Sequence, residues 1–400
     1  MRIALVIGGI PALGHSGSTI AAWTILEELR SAGHDVTAVL LPAPELLDGA
    51  VAQQVDAIGR LGVEVRFVHV PTATAPASRV GYVRSLVAPR DEELFPAARA
   101  RARVREALAD ADAFLAFGIE AIAASAGNAG GLAVLSHPPG VSRRIRARYG
   151  QSTSLYERSF LLHADRRTAA LLRQFDSVGV FSEHHAAWAR RHGVGAWYAH
   201  YPMPDLAGPD WRAKRAARDT NLQPRVLLIG HLRGIGTISG LHLFVPEILP
   251  RLTGFDVRIV GGHEPPAEFR EALSHSPVRL LGPIDDPAEE FLRADVLLAP
   301  NPTTTGASAR ILSGLTFGCC IVAHTDSLVG IPELRDDENC LLASDGPGLA
   351  DATLRALADR DLRDRLGQAG RDLYERAFSP PAAAARLVLE LEELAASSER

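Results

Sequence analysis

The amino-acid sequence predicts an α/β protein of two parallel-sheet domains, and three observations support this prediction. Short apolar runs alternate with longer amphipathic segments, which is the pattern of parallel strands joined by helices. The 400 residues exceed what one hydrophobic core usually serves. The alternation lapses between residues 210 and 224, where charged residues concentrate, and then begins again. We therefore expect one sheet on each side of that break.

The predicted elements divide the chain into four segments. Strands of the first domain are expected at residues 2–7, 35–41, 63–70, 112–117, 131–136, 177–181 and 195–200, with helices such as 19–32 and 96–110 between them. Strands of the second domain are expected at residues 225–230, 256–261, 278–281, 294–299 and 319–323. A helix at 380–397 follows a Pro-Pro break and aligns Leu387, Leu391 and Leu394 on one face. The expected division is an N-terminal domain at 1–205, a linker at 206–224, a C-terminal domain at 225–379, and a segment at 380–400 that returns to the N-terminal domain.

Composition and charge exclude several classes of protein. The formal net charge of −5 lacks the basic footprint of nucleic-acid binding, so no nucleic-acid partner is expected. The three cysteines show no repeated spacing, which favours buried thiols in a reducing, cytoplasmic compartment. The longest apolar stretch, residues 111–136, is interrupted by Asp112, Glu120 and Asn128, so it is not expected to span a membrane. Peripheral docking to a membrane surface stays open.

A glycine-rich turn follows the first predicted strand. Residues 8–19 read Gly-Gly-Ile-Pro-Ala-Leu-Gly-His-Ser-Gly-Ser-Thr and lead into a helix. Backbone amides there, including those of Gly14 and Gly17, would approach a phosphate or a sugar without steric obstruction. The spacing fits neither the dinucleotide fingerprint nor the P-loop. The structural need for a tight turn explains the glycines equally well.

A second candidate site follows the strand at 294–299. Residues 300–306, Pro-Asn-Pro-Thr-Thr-Thr-Gly, lead into a helix expected at 307–316. The first turn of that helix would offer amide donors and a positive dipole end to a diphosphate, and Arg310 follows on the same side. The alternative is a capped helix with a surface arginine.

Two further patterns are interpreted as structural. Asp110 and Asp112 imitate a metal-binding Asp-x-Asp motif, but they stand at a helix-to-strand junction. His184, His185 and His192 lack the spacing by which one helix face chelates zinc, and we expect them on a solvated helix.

Four pieces of the second half follow one another in a recognisable order. The first is PEILPRL at 246–252, which precedes a strand ending in VGG at 260–262. The second is VRLLGPIDD at 278–286, and the third is ADVLLAP at 294–300. The fourth runs from Gly306 through RIL at 310–312 and Gly318 to IVA at 321–323 and GIP at 330–332. From residue 230 to about 374 the chain resembles the donor domain of GT-B glycosyltransferases, in particular the family 4 or group 1 enzymes. The N-terminal half resembles the acceptor domain more loosely, through its glycine loop and VFSE at 180–183. The resemblance implies the GT-B fold, in which two Rossmann-like domains face an interdomain cleft.

The resemblance also implies roles for individual residues. Arg233 and Arg310 would stabilise the leaving phosphate, and His137, which ends a strand, would bond a sugar hydroxyl or act as an acid or base. A structural histidine is an equal alternative at position 137. The family places two glutamates eight positions apart, where this chain has Thr305 and Ser313. The donor-binding residues expected from this alignment and from the glycine loop are Gly14, Gly17, Gly261, Ile284, Thr305, Gly306 and Ser313.

The activity implied by the resemblance is glycosyl transfer from a nucleotide-sugar donor to an acceptor hydroxyl. The acceptor would be a sugar, a lipid-linked molecule or a small molecule, in polysaccharide, glycoconjugate or natural-product biosynthesis. Retention of anomeric configuration is expected, with no metal or other cofactor. The two absent carboxylates favour a donor that is itself acidic, since a glutamate would repel it. Two alternatives stay open: an inactive homologue that serves as a partner subunit, and a sugar-nucleotide epimerase.

Overall fold

The structure, a computed structural model, describes residues 1–12, 17–41, 49–71, 79–148, 154–217, 223–284, 286–303 and 306–398. Contacts between Cα atoms divide the chain into two compact units. The first unit comprises Met1–Pro202 together with Ala383–Arg400, and the second unit comprises Met203–Ala382.

Within the described residues, the first unit contains one sheet of seven parallel strands in the order β3-β2-β1-β4-β5-β6-β7. The strands are β1 Arg2–Ile7, β2 Asp35–Leu40, β3 Glu64–Phe67, β4 Ala113–Phe117, β5 Gly131–Leu135, β6 Ser177–Val180 and β7 Trp197–Tyr198. The central strands β4 and β5 are buried along their whole length, which is why they are continuous apolar runs rather than alternating ones.

Helices connect these strands. They are α1 Gly17–Ser31, α2 Gly49–Arg60, α3 Arg79–Val87, α4 Asp91–Leu94, α5 Arg101–Ala107, α6 Gly118–Ser125, α7 Pro139–Arg148, α8 Leu155–Leu172 and α9 Glu183–Arg191. A 3₁₀ turn, Pro96–Ala100, precedes α5, so the helix expected at 96–110 is split in two.

The second unit contains a second parallel sheet, with six strands among the described residues, in the order β10-β9-β8-β11-β12-β13. The strands are β8 Arg225–Ile229, β9 Asp256–Val260, β10 Arg279–Gly282, β11 Val296–Ala299, β12 Cys320–His324 and β13 Leu341–Ala343. The helices are α10 Trp211–Ala216, α11 Ile235–Leu243, α12 Ala267–Ser274, α13 Ala288–Arg293, α14 Ala309–Thr316, α15 Gly346–Ala358 and α16 Arg360–Leu373, followed by α17 Pro380–Ser398. The predicted fold class, two parallel-sheet α/β domains, is confirmed.

The segment expected to be a linker at 206–224 differs from the prediction, because it contains α10. Trp211 is buried, and the Arg371 guanidinium lies 5.7 Å from the centre of its ring. Arg215 donates hydrogen bonds to the carbonyl oxygens of Phe291 and Ala294, at 3.3 and 3.1 Å. Arg215, one of the charged residues that made this segment resemble a linker, therefore binds carbonyl groups at the end of α13.

The last helix, α17, contributes most of its length to the first unit, where Leu387 and Leu391 are buried. The Ser177 hydroxyl donates a hydrogen bond of 2.6 Å to the Glu390 carboxylate, and the Arg386 guanidinium lies 4.1 Å from the Trp197 ring centre. These contacts fix the helix beside strands β6 and β7.

Candidate functional site

The strands of the second unit end in loops that pack backbone against backbone. The Gly230 amide donates to the Val260 carbonyl at 2.9 Å, and the Gly261 amide donates to the Gly282 carbonyl at 3.0 Å. A Cβ atom added to Gly261 would lie 1.9 Å from the Gly230 carbonyl oxygen. Only glycine permits this approach, so the loops after β8 and β9 meet at the carboxyl edge, where open α/β sheets bind ligands.

Arg310 reaches this edge from the first turn of α14. Its guanidinium donates to the Asn301 side-chain oxygen and the Thr237 hydroxyl, both at 3.2 Å. Burial lowers the pKa of Arg310 to about 10, which leaves the group charged at neutral pH. No carboxylate in the described part of the chain forms an ion pair with it. Arg310 is therefore a desolvated cation whose protein partners are neutral, an arrangement that an anion would stabilise.

Helix α11 begins beside Arg310. Its first turn has no side-chain cap, so its amide hydrogens are not satisfied by a capping residue. The Asn301 amide donates to the Gly236 carbonyl, so the same side chain that accepts from Arg310 is held against α11. A small cavity of about 20 Å³, room for roughly one water, is bordered by Thr237, Asn301 and Arg310. The positive end of a helix and the half-buried Arg310 thus converge in the second unit.

Gly306 lies before α14 rather than in it, which corrects the helix start expected at residue 307. The helix begins at Ala309 after the N-cap residue Ser308. Gly306 is buried with φ of +154°, outside the helical region, and a Cβ on Gly330 would lie 2.0 Å from its carbonyl oxygen. The amides expected to bind phosphate near Gly306 therefore do not belong to a helical turn.

The other donor-binding residues expected in this unit lie at different depths. Ser313 is half-buried on α14, and Ile284 is 38% exposed, two residues after β10. Thr305 lies outside the described residues, as does Gly14 of the first unit. Gly261 lies in the loop after β9, against the Gly230 carbonyl.

Arg233 is exposed in the loop after β8. Its backbone amide donates to the His231 ring nitrogen Nδ1 at 3.2 Å. The His231 ring centre lies 4.2 Å from that of His263, with 43° between the ring planes. His263 has φ of +72°, a sparsely populated conformation for a residue other than glycine. Sequence reasoning missed this histidine pair, although both residues closely follow strands, which was the available signal.

The carboxyl edge of the first unit carries Glu120, which sequence reasoning noted only as an interruption of an apolar stretch. Glu120 lies in the first turn of α6, and its carboxylate accepts a hydrogen bond of 3.2 Å from the Ala97 amide. Its Cβ lies 3.0 Å from where a Cβ on Gly8 would be, so it is next to the turn after β1. Burial raises the pKa of Glu120.

Gly17, a donor-binding residue expected from the sequence, is the first residue of α1. Its carbonyl oxygen accepts a hydrogen bond from the Tyr201 hydroxyl.

His137 and His185 lie near each other at the same edge. The Ser136 hydroxyl is 3.3 Å from His137 Nδ1, and burial lowers the pKa of His137. His185 is 1% exposed, so the expectation of a solvated position on α9 was wrong. Burial, with a smaller effect of His137, lowers the pKa of His185 to about 3. Packing against the end of β5 explains the error, because helical spacing alone did not show which face turns inward.

Metal ligands and membrane spans are not found in the part of the chain that the structure describes. There, no group of three or more His, Cys, Asp or Glu side chains is placed to hold a metal ion. No helix within the described ranges is long and apolar enough to cross a membrane.

Comparisons with known proteins identify the second unit. Residues 223–359 match the family model described as glycosyl transferases group 1. This match lies within the second unit. We call Met203–Ala382 the group 1 domain from here on. The match confirms the resemblance found in the sequence, and with it the prediction of a glycosyltransferase.

Solved structures match over the whole chain, group 1 domain included. HepE from Anabaena in complex with UDP is 13% identical, with a TM-score of 0.68, covering 98% of this chain and 100% of HepE. Sucrose-phosphate synthase from Thermosynechococcus elongatus is 19% identical, with a TM-score of 0.71 and 99% of each chain covered. WaaG, a glycosyltransferase involved in lipopolysaccharide biosynthesis, is 15% identical, with a TM-score of 0.59 and 98% of each chain covered. These likenesses establish the GT-B fold. A sequence comparison with curated proteins finds no match.

Proposed function

We propose that the protein transfers a glycosyl group from a nucleoside-diphosphate sugar to an acceptor hydroxyl, and that the group 1 domain holds the donor. The observation that carries this proposal is Arg310, a half-buried cation with neutral partners beside the uncapped start of α11. A diphosphate supplies the missing negative charge and accepts from both the guanidinium and the helix amides.

The diphosphate would lie between Arg310 and the first turn of α11, with exposed Arg233 as a second cation. Negative charge grows on the leaving phosphate as the glycosidic bond breaks, so these donors bind the transition state more strongly than the ground state. This electrostatic role needs no metal ion, and we propose a reaction without metal or other cofactor. Retention of anomeric configuration is the proposed outcome.

The nucleoside would lie along the loops after β9 and β10. Gly261 has no side chain to obstruct it, and the exposed side chain of Ile284 offers an apolar surface to a base. The tilted pair of His231 and His263 adds aromatic surface beside the phosphate region. HepE was solved with UDP, with UDP and glucose, and with UDP-glucose, which makes uridine the first nucleoside to test here.

The acceptor would be bound by the first unit. Burial lowers the pKa of His137, so its imidazole is neutral at neutral pH and can exchange a hydrogen bond with a sugar hydroxyl. Glu120 adds a carboxyl group whose raised pKa suits it to accept a proton or to share one with a hydroxyl. We propose that the acceptor bound by His137 and Glu120 is a sugar, a lipid-linked molecule or a small molecule.

The donor sugar is proposed to carry an acid. Ser313, half-buried on α14, and Thr305 stand where the family resemblance places glutamates, so the group 1 domain presents cations there without those two carboxylates. A uronic or keto-acid sugar would meet no repulsion from these two positions, whereas a glutamate at either would oppose it.

A ligand panel followed by turnover tests the proposed function. UDP-, GDP-, ADP-, dTDP- and CMP-linked sugars would be compared by the thermal unfolding midpoint, and those that raise it would then be incubated with acceptors. We expect at least one diphosphate-linked sugar to raise the midpoint and to be consumed, with release of the nucleoside diphosphate. Stabilisation without turnover over a wide acceptor range would instead support the inactive partner subunit, and no stabilisation at all would refute donor binding.

A further inference from the structure

Helices α3 and α8 of the first unit expose an unusual combination of aliphatic and cationic side chains. The two helices pack together: the Ser159 hydroxyl donates to the Leu86 carbonyl, and the Arg167 guanidinium donates to the Pro89 carbonyl at 2.9 Å. Their outward side chains define what we call the α3–α8 face: Val83, Val87, Leu155, Arg158, Leu162 and Arg166.

The aliphatic members of this face are exposed to an unusual degree. Leu162 is 79% exposed and Leu155 is 64% exposed on α8, while Val87 and Val83 on α3 are 69% and 58% exposed. A single exposed leucine is ordinary, but four large aliphatic side chains on two packed helices form a patch that water solvates poorly.

The α8 members form one stripe. Residues 155, 158, 162 and 166 are separated by three, four and four positions, which places them on one side of an α-helix. Leucine and arginine alternate along this stripe. The opposite side of α8 contributes buried residues such as Phe160 and Ala164 to the core, so the exposed stripe is the outer half of an amphipathic helix.

The cations of the stripe are not neutralised within the described chain. Arg158 and Arg166 form no ion pair there and donate no side-chain hydrogen bond. The neighbouring acids are already engaged: Glu157 caps the start of α8, Asp165 pairs with Arg144 at 2.9 Å, and Glu93 pairs with Arg84 at 2.5 Å.

The segment that contains α7 and α8 has a net charge opposite in sign to that of the whole protein. Residues 139–173 contain eight arginines and two acidic residues, a net charge of +6 in a chain whose total is −5. An anionic surface would therefore repel most of the protein and attract this segment, which selects one orientation of approach.

We propose that the α3–α8 face docks onto a lipid bilayer containing anionic headgroups. Aliphatic tips that alternate with guanidinium groups suit a helix lying in the interface: leucine and valine enter the acyl boundary while arginine binds headgroup phosphates. Docking would keep the first unit, and the acceptor it is proposed to bind, at the membrane surface. The docking itself requires neither donor nor catalysis.

Vesicle flotation of the full chain tests this proposal. The probes are vesicles of phosphatidylcholine alone and vesicles that also contain phosphatidylglycerol. We expect the protein to float with the anionic vesicles, to stay unbound with the neutral ones, and to detach as salt is raised. Equal binding to both compositions, or no binding to anionic vesicles at low salt, would overturn the proposal; the latter result would leave an acidic protein as the kind of partner that suits the face.

Matched variants separate this face from nonspecific attraction. Replacing Arg158 and Arg166 together with Gln should weaken partitioning about thirtyfold, since each arginine near an anionic surface contributes roughly five- to sixfold. Leu162→Ser with Val87→Ser should also weaken it. The controls are Arg105→Gln on α5 and Leu389→Ser on α17, where the side chains are likewise exposed in the first unit.

The variants are informative only if they fold, so each is checked by its thermal midpoint. Nucleotide binding by the group 1 domain serves as a second check, because loss of membrane binding with retained nucleotide binding isolates the face from the proposed function. Controls that lose partitioning as strongly as the face variants would contradict the assignment.

Discussion

The titratable groups at the carboxyl edges of the two sheets differ in how burial affects their charge. In the group 1 domain, burial lowers the pKa of Arg310 only to about 10, so the guanidinium stays charged at neutral pH. Its hydrogen-bond partners, Asn301 and Thr237, are neutral. In the first unit, burial raises the pKa of Glu120 and lowers the pKa of His137 and His185, so it shifts all three toward their neutral forms. The same desolvation therefore leaves a charged group at one edge and favours uncharged forms at the other.

Replacing Arg310 with Ala should have the largest effect on this contrast. The change would remove the proposed charge-assisted contact to the donor phosphates, worth about 1.5 to 3 kcal/mol, and should weaken nucleotide binding by roughly one to two orders of magnitude. Stability should hold or rise, because a desolvated cation without an anionic partner is lost. Calorimetric titration with the best nucleotide measures the first effect and denaturant unfolding measures the second.

Arg270→Ala provides the matched control, because Arg270 is an exposed arginine of the same domain that pairs with Glu264 at 3.2 Å. It should change neither binding nor stability appreciably. If Arg310→Ala binds nucleotide as tightly as the unmodified protein does, the arginine has a structural role only.

Gly261→Ala should produce the next largest effect. The added Cβ would lie 1.9 Å from the Gly230 carbonyl, so the loops after β8 and β9 must separate. We expect a loss of about 1 to 3 kcal/mol in the free energy of unfolding, with weaker nucleotide binding. Gly262→Ala is the control, because a Cβ there meets nothing within 4 Å. Equal behaviour of the two variants would contradict the proposed backbone contact.

Burial of His185 at the carboxyl edge of the first unit should make the stability of the protein depend on pH. The pKa of His185 in the folded protein is about 3, below its ordinary value of 6.5, so the folded state binds fewer protons than the unfolded state. Its contribution to stability is complete above pH 6.5 and is lost as pH falls toward 3, by up to about 1.4 kcal/mol per pH unit.

His185→Asn removes that titration. Urea unfolding at pH 7, 6 and 5 should therefore show a shallower loss of stability in the variant. The exposed neighbour His184 supplies the control variant, His184→Asn. A slope that His185→Asn leaves unchanged would show that the buried imidazole does not titrate as described.

Ser313→Glu should have the smallest effect and concerns donor choice. The introduced carboxylate should disfavour UDP-glucuronate relative to UDP-glucose by about 1 kcal/mol, roughly fivefold in relative affinity. Ser274→Glu on α12, an exposed position in the same domain, is the control. Preference of the unmodified protein for UDP-glucose would count against an acidic donor.

The sequence predicted most of the sheet architecture because buried parallel strands are continuous apolar runs, as β4 and β5 show. It missed β13, whose three residues are too few to show a pattern. It missed α10 because arginines that cap neighbouring elements look like solvated charges.

The candidate site was predictable only in part, since residues brought together by folding leave little trace in the sequence. Arg310 stood out by its position after a strand, but its partners Asn301 and Thr237 are 9 and 73 residues away. The inward position of His185 likewise depends on what packs against α9. Periodicity shows that a helix has faces, whereas tertiary contacts determine which face is covered.

The glycine contacts at the edge of the group 1 domain also limit how this sequence can diverge. Gly261 and Gly330 each lie where any side chain would strike a backbone carbonyl, at 1.9 and 2.0 Å. In a saturation library, both positions should reject every alternative, including alanine, while nearby Gly262 accepts several. Related sequences are therefore expected to vary at side chains such as Ser313, while the two glycines keep the loop framework constant.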